Sequence, residues 1–354
     1  MSPLFVPGPV DVDEEVLEAQ TKAMMPHRSG EFEEIFHRSE GKMRKIFRTD
    51  HRVLINASSG TGMHEAAIRN LVNKKVLSCA NGAFGMRWHD VAKSNGKDVT
   101  LLDTDWKEPL TGEKIAQALD GQDYEAITIV HNETSTGLMN PIEEIARVVH
   151  GVSPNTLICV DAVSSLSGAQ LEMDEWGLDL VLTSSQKCLA LPPGLGFVAF
   201  NERVFEKSKT VKNKGWYFDF ERLEKHRLKD STPATSAVSL IYALDLQTDR
   251  ILAEGIEQRW ARHSAMAEKT QIWAKENDFT LFAPEGYRSQ TVTAIEHQGF
   301  DFKAANAFLI TKGIRMASGY GPLKENVFRI GHMGELTPAD LDKLFAALAE
   351  FRSN

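Results

Sequence analysis

The sequence predicts an α/β protein: a large domain on a mostly parallel seven-stranded sheet, followed by a smaller α+β C-terminal domain. Short apolar runs alternate with helical stretches from residue 53 to about residue 200, the pattern of a parallel sheet covered by helices on both faces. A charged stretch then interrupts the alternation, and two long helical patterns and two more strand candidates follow it. At 354 residues the chain also exceeds the usual size of one hydrophobic core, so a second unit is expected.

Asp11 with Glu14 has the spacing of a capping box, which predicts a helix running to about Met25 and stopped by Pro26. Phe32, Ile35, Phe36, Met43, Ile46 and Phe47 recur at helical spacing and mark the core stripe of a second helix. VLINA then precedes a helix over 62–73, VLSCA one over 84–95, VTLLD one over 111–120 and AITIV one over 141–150. TLICVDA, DLVLTSS and GFVAF complete seven strands, the last a candidate antiparallel strand because only a short loop precedes it. Between Asn201 and Asp230 the chain is strongly charged, with Trp216, Tyr217, Phe218 and Phe220 embedded, and reads as a linker at a domain boundary. Helices over 236–253 and 255–277, strands over 290–296 and 326–332, and a last helix after Thr337 are expected beyond it.

Composition narrows the function classes. Hydrophobic residues at 42% and charged residues at 25% are close to globular averages, which disfavours a disordered or fibrous chain. A net charge of −9 argues against nucleic acid and anionic membrane surfaces, both of which need clustered cations; the partner expected is a small molecule or a second copy. No apolar run reaches the roughly 20 residues of a membrane span, and MSPLFVPGPV lacks the basic and apolar regions of a signal peptide. Cys79, Cys159 and Cys188 are too few for a disulfide scaffold and form no CxxC pair for a metal, so a reducing cytoplasm is expected.

Three features carry chemistry. ASSGTGMHEAA follows the first strand and opens a helix, where small residues can bring bare backbone N–H groups against a phosphate; a plain tight turn is the other reading. It has neither the Walker lysine nor GxGxxG, which weakens a nucleotide-binding reading. Asp161 ends the strand LICVDA at the sheet edge where ligands collect, although an Asp there can simply cap a turn. Lys187, in SSQKCLALPPGLG, sits among small and apolar neighbours that would depress its amine pKa and favour Schiff-base chemistry, whereas a lone lysine is ordinarily solvated. Together they supply what pyridoxal phosphate requires: a carboxylate for the ring nitrogen, an amine for the aldehyde and an anion cup.

At this point the chain resembles the fold-type I, class V pyridoxal-phosphate aminotransferases of the alanine/serine–glyoxylate (serine–pyruvate) group. The likeness runs almost end to end: VPGPVDV at 6–12, HRSGEF at 27–32, SSGTGMHEAA at 58–67, NGAFG at 81–85, HNETSTG at 131–137, DAVSS at 161–165, SSQKCLALPPG at 184–194, TPATSAVSLIYAL at 232–244 and GYGPLKENVFRIGHMG at 319–334. The resemblance implies that Lys187 forms the internal aldimine, Asp161 pairs with the pyridinium nitrogen, and Gln186 lies beside the phosphate. It implies that Thr61, Gly62 and Met63 hold the phosphate, that Phe84 stacks on the ring with Val163 on the opposite face, and that Thr134 approaches the phenolic oxygen. Phe84 and Val163 can also be read as ordinary core residues. Arg329 matches the arginine that takes the substrate carboxylate in a two-bond fork; a strand arginine on the surface is its other reading. The family reaches across a homodimer to the phosphate, and Thr235 stands where that contact arises; many relatives carry tyrosine three residues earlier, where this chain has Thr232. The domain division expected is an N-terminal segment over 1–20 associated with the small domain and the active site, a large cofactor-binding domain over 21–235 and a small domain over 236–354.

The implied reaction is a ping-pong transfer of an amino group from alanine or serine to a 2-oxo acid such as glyoxylate or pyruvate, with aspartate as an alternative donor. A lyase of the cysteine desulfurase kind needs a late thiolate, and no cysteine follows Cys188. A non-catalytic interaction protein would not require Lys187, Asp161 and Arg329 together.

Overall fold

In the computed structural model, residues 3–297 and 299–353 are described. Along the chain the strands are β1 (Leu4–Phe5), β2 (Arg52–Ala57), β3 (Lys75–Ala80), β4 (Asp98–Asp103), β5 (Ala126–Val130), β6 (Asn132–Glu133), β7 (Leu138–Met139), β8 (Leu157–Asp161), β9 (Leu180–Ser184), β10 (Leu195–Phe200), β11 (Val292–Glu296), β12 (Arg315–Ser318) and β13 (Val327–Gly331). The helices are α1 (Glu14–Ala19), α2 (Gly30–Phe47), α3 (Gly60–Leu71), α4 (Ala83–Ser94), α5 (Gly112–Leu119), α6 (Ile142–Val152), α7 (Glu202–Thr210), α8 (Phe220–Arg227), α9 (Val238–Glu254), α10 (Ile256–Glu276), α11 (Phe302–Thr311) and α12 (Pro338–Ser353).

The seven expected strands form one sheet in the order β2-β10-β9-β8-β5-β3-β4. Every pairing is parallel except those of β10, which runs antiparallel to both β2 and β9, as its short connection suggested. Strands β5, β8, β9 and β10 are buried throughout, so they read as continuous apolar runs rather than alternating ones. The two-residue period still sorts them: Ile55, Ile127, Ile158 and Phe197 face the core shared with α2, α6 and α9. Leu54, Ala126, Leu157 and Val198 face the one shared with α3, α4, α7 and α8.

A second sheet, β1-β12-β13-β11, is antiparallel apart from the β1–β12 pair. It packs with α10, α11 and α12 around Phe328, Ile330, Met266, Leu309 and Leu344. Strands β1 and β12 and helix α11 were not anticipated, because each is short and carries little periodic signal.

Two local expectations are corrected. The first helix is capped by Asp13, whose side chain accepts from the Glu15 amide at 3.3 Å, and Asp11 instead accepts from the Leu4 amide at 2.6 Å. That helix ends at Ala19, because Thr21 returns both its amide and its hydroxyl to the Glu18 carbonyl. The charged stretch 201–230 is no bare linker: it folds into α7 and α8, capped by the side chains of Asn201 and Asp219. The apolar side chains these helices bury are Val204, Phe220 and Leu223, with Phe205 partly buried beside them, so an overall polar composition concealed a narrow apolar face. No helix among the described residues is long and apolar enough to cross a membrane.

Candidate active site

Parallel strands deliver their loops to one edge, and the chemistry-bearing residues follow β2, β3, β5, β8 and β9 at their carboxyl ends. After β2 the chain turns into α3, whose amino end is capped by Ser59 Oγ accepting from the Gly62 amide at 3.4 Å. The Met63 amide donates to the Ser59 carbonyl at 3.2 Å, and Thr61 is exposed at the tip. Positions 60 and 62 have no room for a side chain: a Cβ on Gly60 would stand 2.6 Å from Val163 Cγ2, and one on Gly62 would collide with Ser58 Oγ. The result is a cradle of bare backbone at the positive end of a 12-residue helix, which fits a phosphate.

Asp161 closes β8 with its side chain 3% exposed. Its Oδ1 accepts from the Val163 amide at 2.7 Å and its Oδ2 lies 2.8 Å from Nε2 of His64. A buried carboxylate with fixed donors on both oxygens is suited to hold a protonated ring nitrogen. Val163 is half-buried beside the cradle.

Lys187 follows β9 in the loop that precedes β10. Its Nζ donates to the Pro7 carbonyl. Burial, reinforced by the nearby Arg329 guanidinium, pushes the amine down to about 8, while the Asp161 carboxylate acts the other way. Lys187, Arg329 and Asp161 are therefore electrostatic neighbours. The adjacent Gln186 carbonyl accepts from the Val10 amide at 3.1 Å. Together these contacts strap residues 7–10 over the lysine, and Gly8, at φ +99°, leaves room for the side chain of Lys187.

Arg329 is central in β13 and 8% exposed. Its Nη1 donates to the Thr134 carbonyl and its Nε to the Ser318 carbonyl, each at 3.0 Å. Burial draws its pKa down to about 10, with Glu133 and Tyr320 opposing the shift. Glu133 is fully buried and organises the loop in front: its Oε2 accepts from the amides of Phe84 and Gly85 at 2.9 and 3.1 Å, and its Oε1 from the Ser135 hydroxyl at 2.6 Å. Burial raises its pKa while these four donors, counting the Ser135 amide, oppose the rise. Phe84, half-buried at the start of α4, is stacked on Tyr320 with centroids 5.5 Å apart.

Thr235 does not join this group within one chain. It is exposed and lines a groove with Asn56, Ala57 and Tyr217, and none of the hydrogen bonds among the described residues links its side chain to Thr61, Gly62 or Met63. Thr232, in the position of the missing tyrosine, turns its hydroxyl to the Ala234 carbonyl at 2.7 Å.

Sequence reasoning missed His64, Glu133, Arg87 and Tyr320. Arg87 donates to Tyr320 Oη at 2.8 Å and to Thr61 Oγ1 at 3.4 Å, with its guanidinium 4.9 Å from the Phe84 ring centre. The available signal was the three-residue step from Phe84, which puts Arg87 on the same helix face.

The chain is similar to known proteins over nearly its whole length. Residues 12–331 match the family described as aminotransferase class-V. An uncharacterized aminotransferase of Methanocaldococcus jannaschii is 37% identical over 94% of this chain and 87% of its own length. An L-aspartate–glyoxylate aminotransferase of Paracoccus denitrificans is 34% identical over 96% of this chain and 88% of its own. The crystal structure of an alanine–glyoxylate aminotransferase from Nostoc sp. superposes with a TM-score of 0.93 at 30% identity, covering 99% of this chain and 95% of that one. Shared sequence over nine-tenths of the length and a shared fold lead to one assignment: the chain belongs to the class-V aminotransferase family.

Proposed function

We propose that this pyridoxal-phosphate aminotransferase moves an amino group from a small amino acid, alanine or serine, to a 2-oxo acid such as glyoxylate or pyruvate, in two half-reactions at one site. The observation that carries the reading is a convergence of three groups: Asp161 ends β8, Lys187 follows the neighbouring β9, and Arg329 is tied at 3.0 Å to the Thr134 carbonyl in the loop after β5, which joins a ring-nitrogen partner, an amine and a carboxylate anchor. When bound, pyridoxal 5′-phosphate supplies an electron sink for the substrate Cα. Lys187 would hold it and would move the Cα proton as base and then acid; an amine drawn to about 8 carries more of the base form near neutral pH than an ordinary lysine does. Asp161 keeps the ring nitrogen protonated. The cradle of Thr61, Gly62 and Met63, with Gln186 beside it, takes the phosphate. Phe84 and Val163 would bound the two ring faces, and Thr134 would approach the phenolic oxygen. Arg329 receives the α-carboxylate of donor and acceptor in turn, already oriented by two backbone carbonyls.

We also read the protein as a cytoplasmic homodimer in which Thr235 contributes to the partner's phosphate site, with a small domain over 236–354 and a large one over 21–235. Three free, buried cysteines fit a reducing compartment. An exposed Thr235 in one groove with the half-exposed Tyr217 fits a surface that a second copy covers.

The test is a panel of amino donors against glyoxylate, pyruvate and 2-oxoglutarate with oxo-acid product analysis; alanine or serine with glyoxylate should give the highest kcat/KM. Arg87 favours a second reading, with aspartate as donor, because among the described residues no carboxylate pairs with it. If that guanidinium receives the distal carboxylate, Arg87→Gln should lower kcat/KM for aspartate about tenfold more than for alanine.

A further inference from the structure

Behind Asp161 stands a residue that the reading above does not use. His64 lies in the second turn of α3, its side chain 2% exposed, with Nε2 2.8 Å from Asp161 Oδ2. Helix α4 fixes the ring plane from the other side: the imidazole stacks on the indole of Trp88, centroids 4.2 Å apart and 28° from parallel. Its Nδ1 is buried and has no hydrogen-bond partner. These facts assign the tautomer. A proton on Nε2 makes a charge-assisted bond to the carboxylate, whereas a proton on Nδ1 would bury an unpaired donor and oppose two lone pairs at 2.8 Å.

We propose that His64 is a positioning residue for Asp161: with its proton on Nε2, it donates to Oδ2 while the Val163 amide donates to Oδ1, so the carboxylate is fixed in direction toward the cofactor's ring nitrogen. The proposal rests on the reading of Asp161 as that nitrogen's partner. Without His64, a carboxylate buried to this degree would lose one of its two fixed donors and rotate more freely about its Cβ–Cγ bond. The other groups whose charge reaches Asp161 serve different ends. Lys187 is the attachment point, and burial keeps His131 neutral by pulling it down to about 4. A residue filling space between α3 and α4 would need neither the nitrogen nor the alignment, and an apolar ring would avoid the unpaired Nδ1.

The experiment uses the purified full chain and pyridoxal 5′-phosphate itself. His64→Phe keeps a stacking ring without a donor, and His64→Gln keeps a donor at comparable reach; both are made in the natural chain and with Asp161→Asn. The readouts are the cofactor dissociation constant of the stripped protein and the pH midpoint of the bound cofactor's visible absorption band. His64→Phe should weaken cofactor binding about tenfold and displace the midpoint, and His64→Gln should restore most of both. In the Asp161→Asn background His64→Phe should change binding less than about twofold, since the two residues act as one unit. A His64→Phe protein with the natural affinity and midpoint overturns the proposal. So does a His64→Gln protein as impaired as the Phe variant, which alone decides the matter if His64→Phe does not fold. Asp161→Asn without effect on either readout would remove the underlying reading of Asp161, whereas a damaging Asp161→Asn beside a silent His64→Phe removes only the role of His64.

Discussion

Arg329 and Thr134 lie 195 residues apart in sequence, yet the guanidinium Nη1 donates to the Thr134 carbonyl at 3.0 Å. With Nε held by Ser318, the planar group is oriented before any substrate arrives. Lysine would keep the charge and lose both the fork and the orientation. Arg329→Lys is expected to retain cofactor while kcat/KM falls by roughly 10²-fold or more, about 3 kcal/mol of transition-state binding, with donor and acceptor alike. Single-turnover kinetics with alanine, serine and glyoxylate, alongside the cofactor absorption spectrum, measure this. Unchanged efficiency toward all three would show that another group binds the carboxylate.

Lys187 should carry the cofactor. Borohydride treatment followed by peptide mapping is expected to find the reduced adduct on Lys187; an adduct on another lysine rejects the assignment.

The same amine predicts a pH dependence. Its folded pKa, about 8, lies below the ordinary 10.5, so between these values the unfolded chain binds more protons and stability rises with pH. In cofactor-free protein the rise should approach about 3 kcal/mol across that window at most. Urea melts of the natural chain and of Lys187→Met at pH 7.5 and 10 isolate it: the variant should be the more stable at the lower pH, and the gap should narrow at the higher. A constant gap would place the amine in water.

Gly8 combines positive φ with contact. A Cβ there would lie 2.5 Å from Lys187 Cδ and 2.8 Å from Nζ. Gly8→Ala therefore adds backbone strain of about 1 kcal/mol and displaces the lysine or the strap. Cofactor affinity and kcat should both fall, with only a few degrees' loss in Tm. Natural turnover in this variant would mean that the strap moves aside freely.

Assembly is tested by light scattering, which should report twice the 39.4 kDa chain mass at assay concentration. Thr235→Glu places a carboxylate where the partner's phosphate is expected and should weaken cofactor binding several-fold. A fully active monomer, or natural affinity in Thr235→Glu, would leave Thr235 without a role at the cradle.

Family, fold class and cofactor were legible in the sequence because their signals are local. Buried strands such as AITIV and LICVD read as short apolar runs, and the stripe from Phe32 to Phe47 repeats at helical spacing, since both patterns record burial along a few residues. Lys187, Asp161 and the cradle likewise stood out because each lies in a compact motif at a strand end. Tertiary structure alone decided which residues meet. Strand β10 enters between β2 and β9, a choice made by packing of the whole sheet rather than by the run LGFVAF. His64 meets Asp161 across 97 residues, Pro7 meets Lys187 across 180 and Arg87 meets Tyr320 across 233. None of these contacts leaves a periodic trace, because a single hydrogen bond imposes no pattern on the residues between its partners. The stretch 201–230 shows the converse limit: its charges, turned to solvent, dominate the composition, while the few side chains that anchor α7 and α8 find their apolar surface only once the sheet is built.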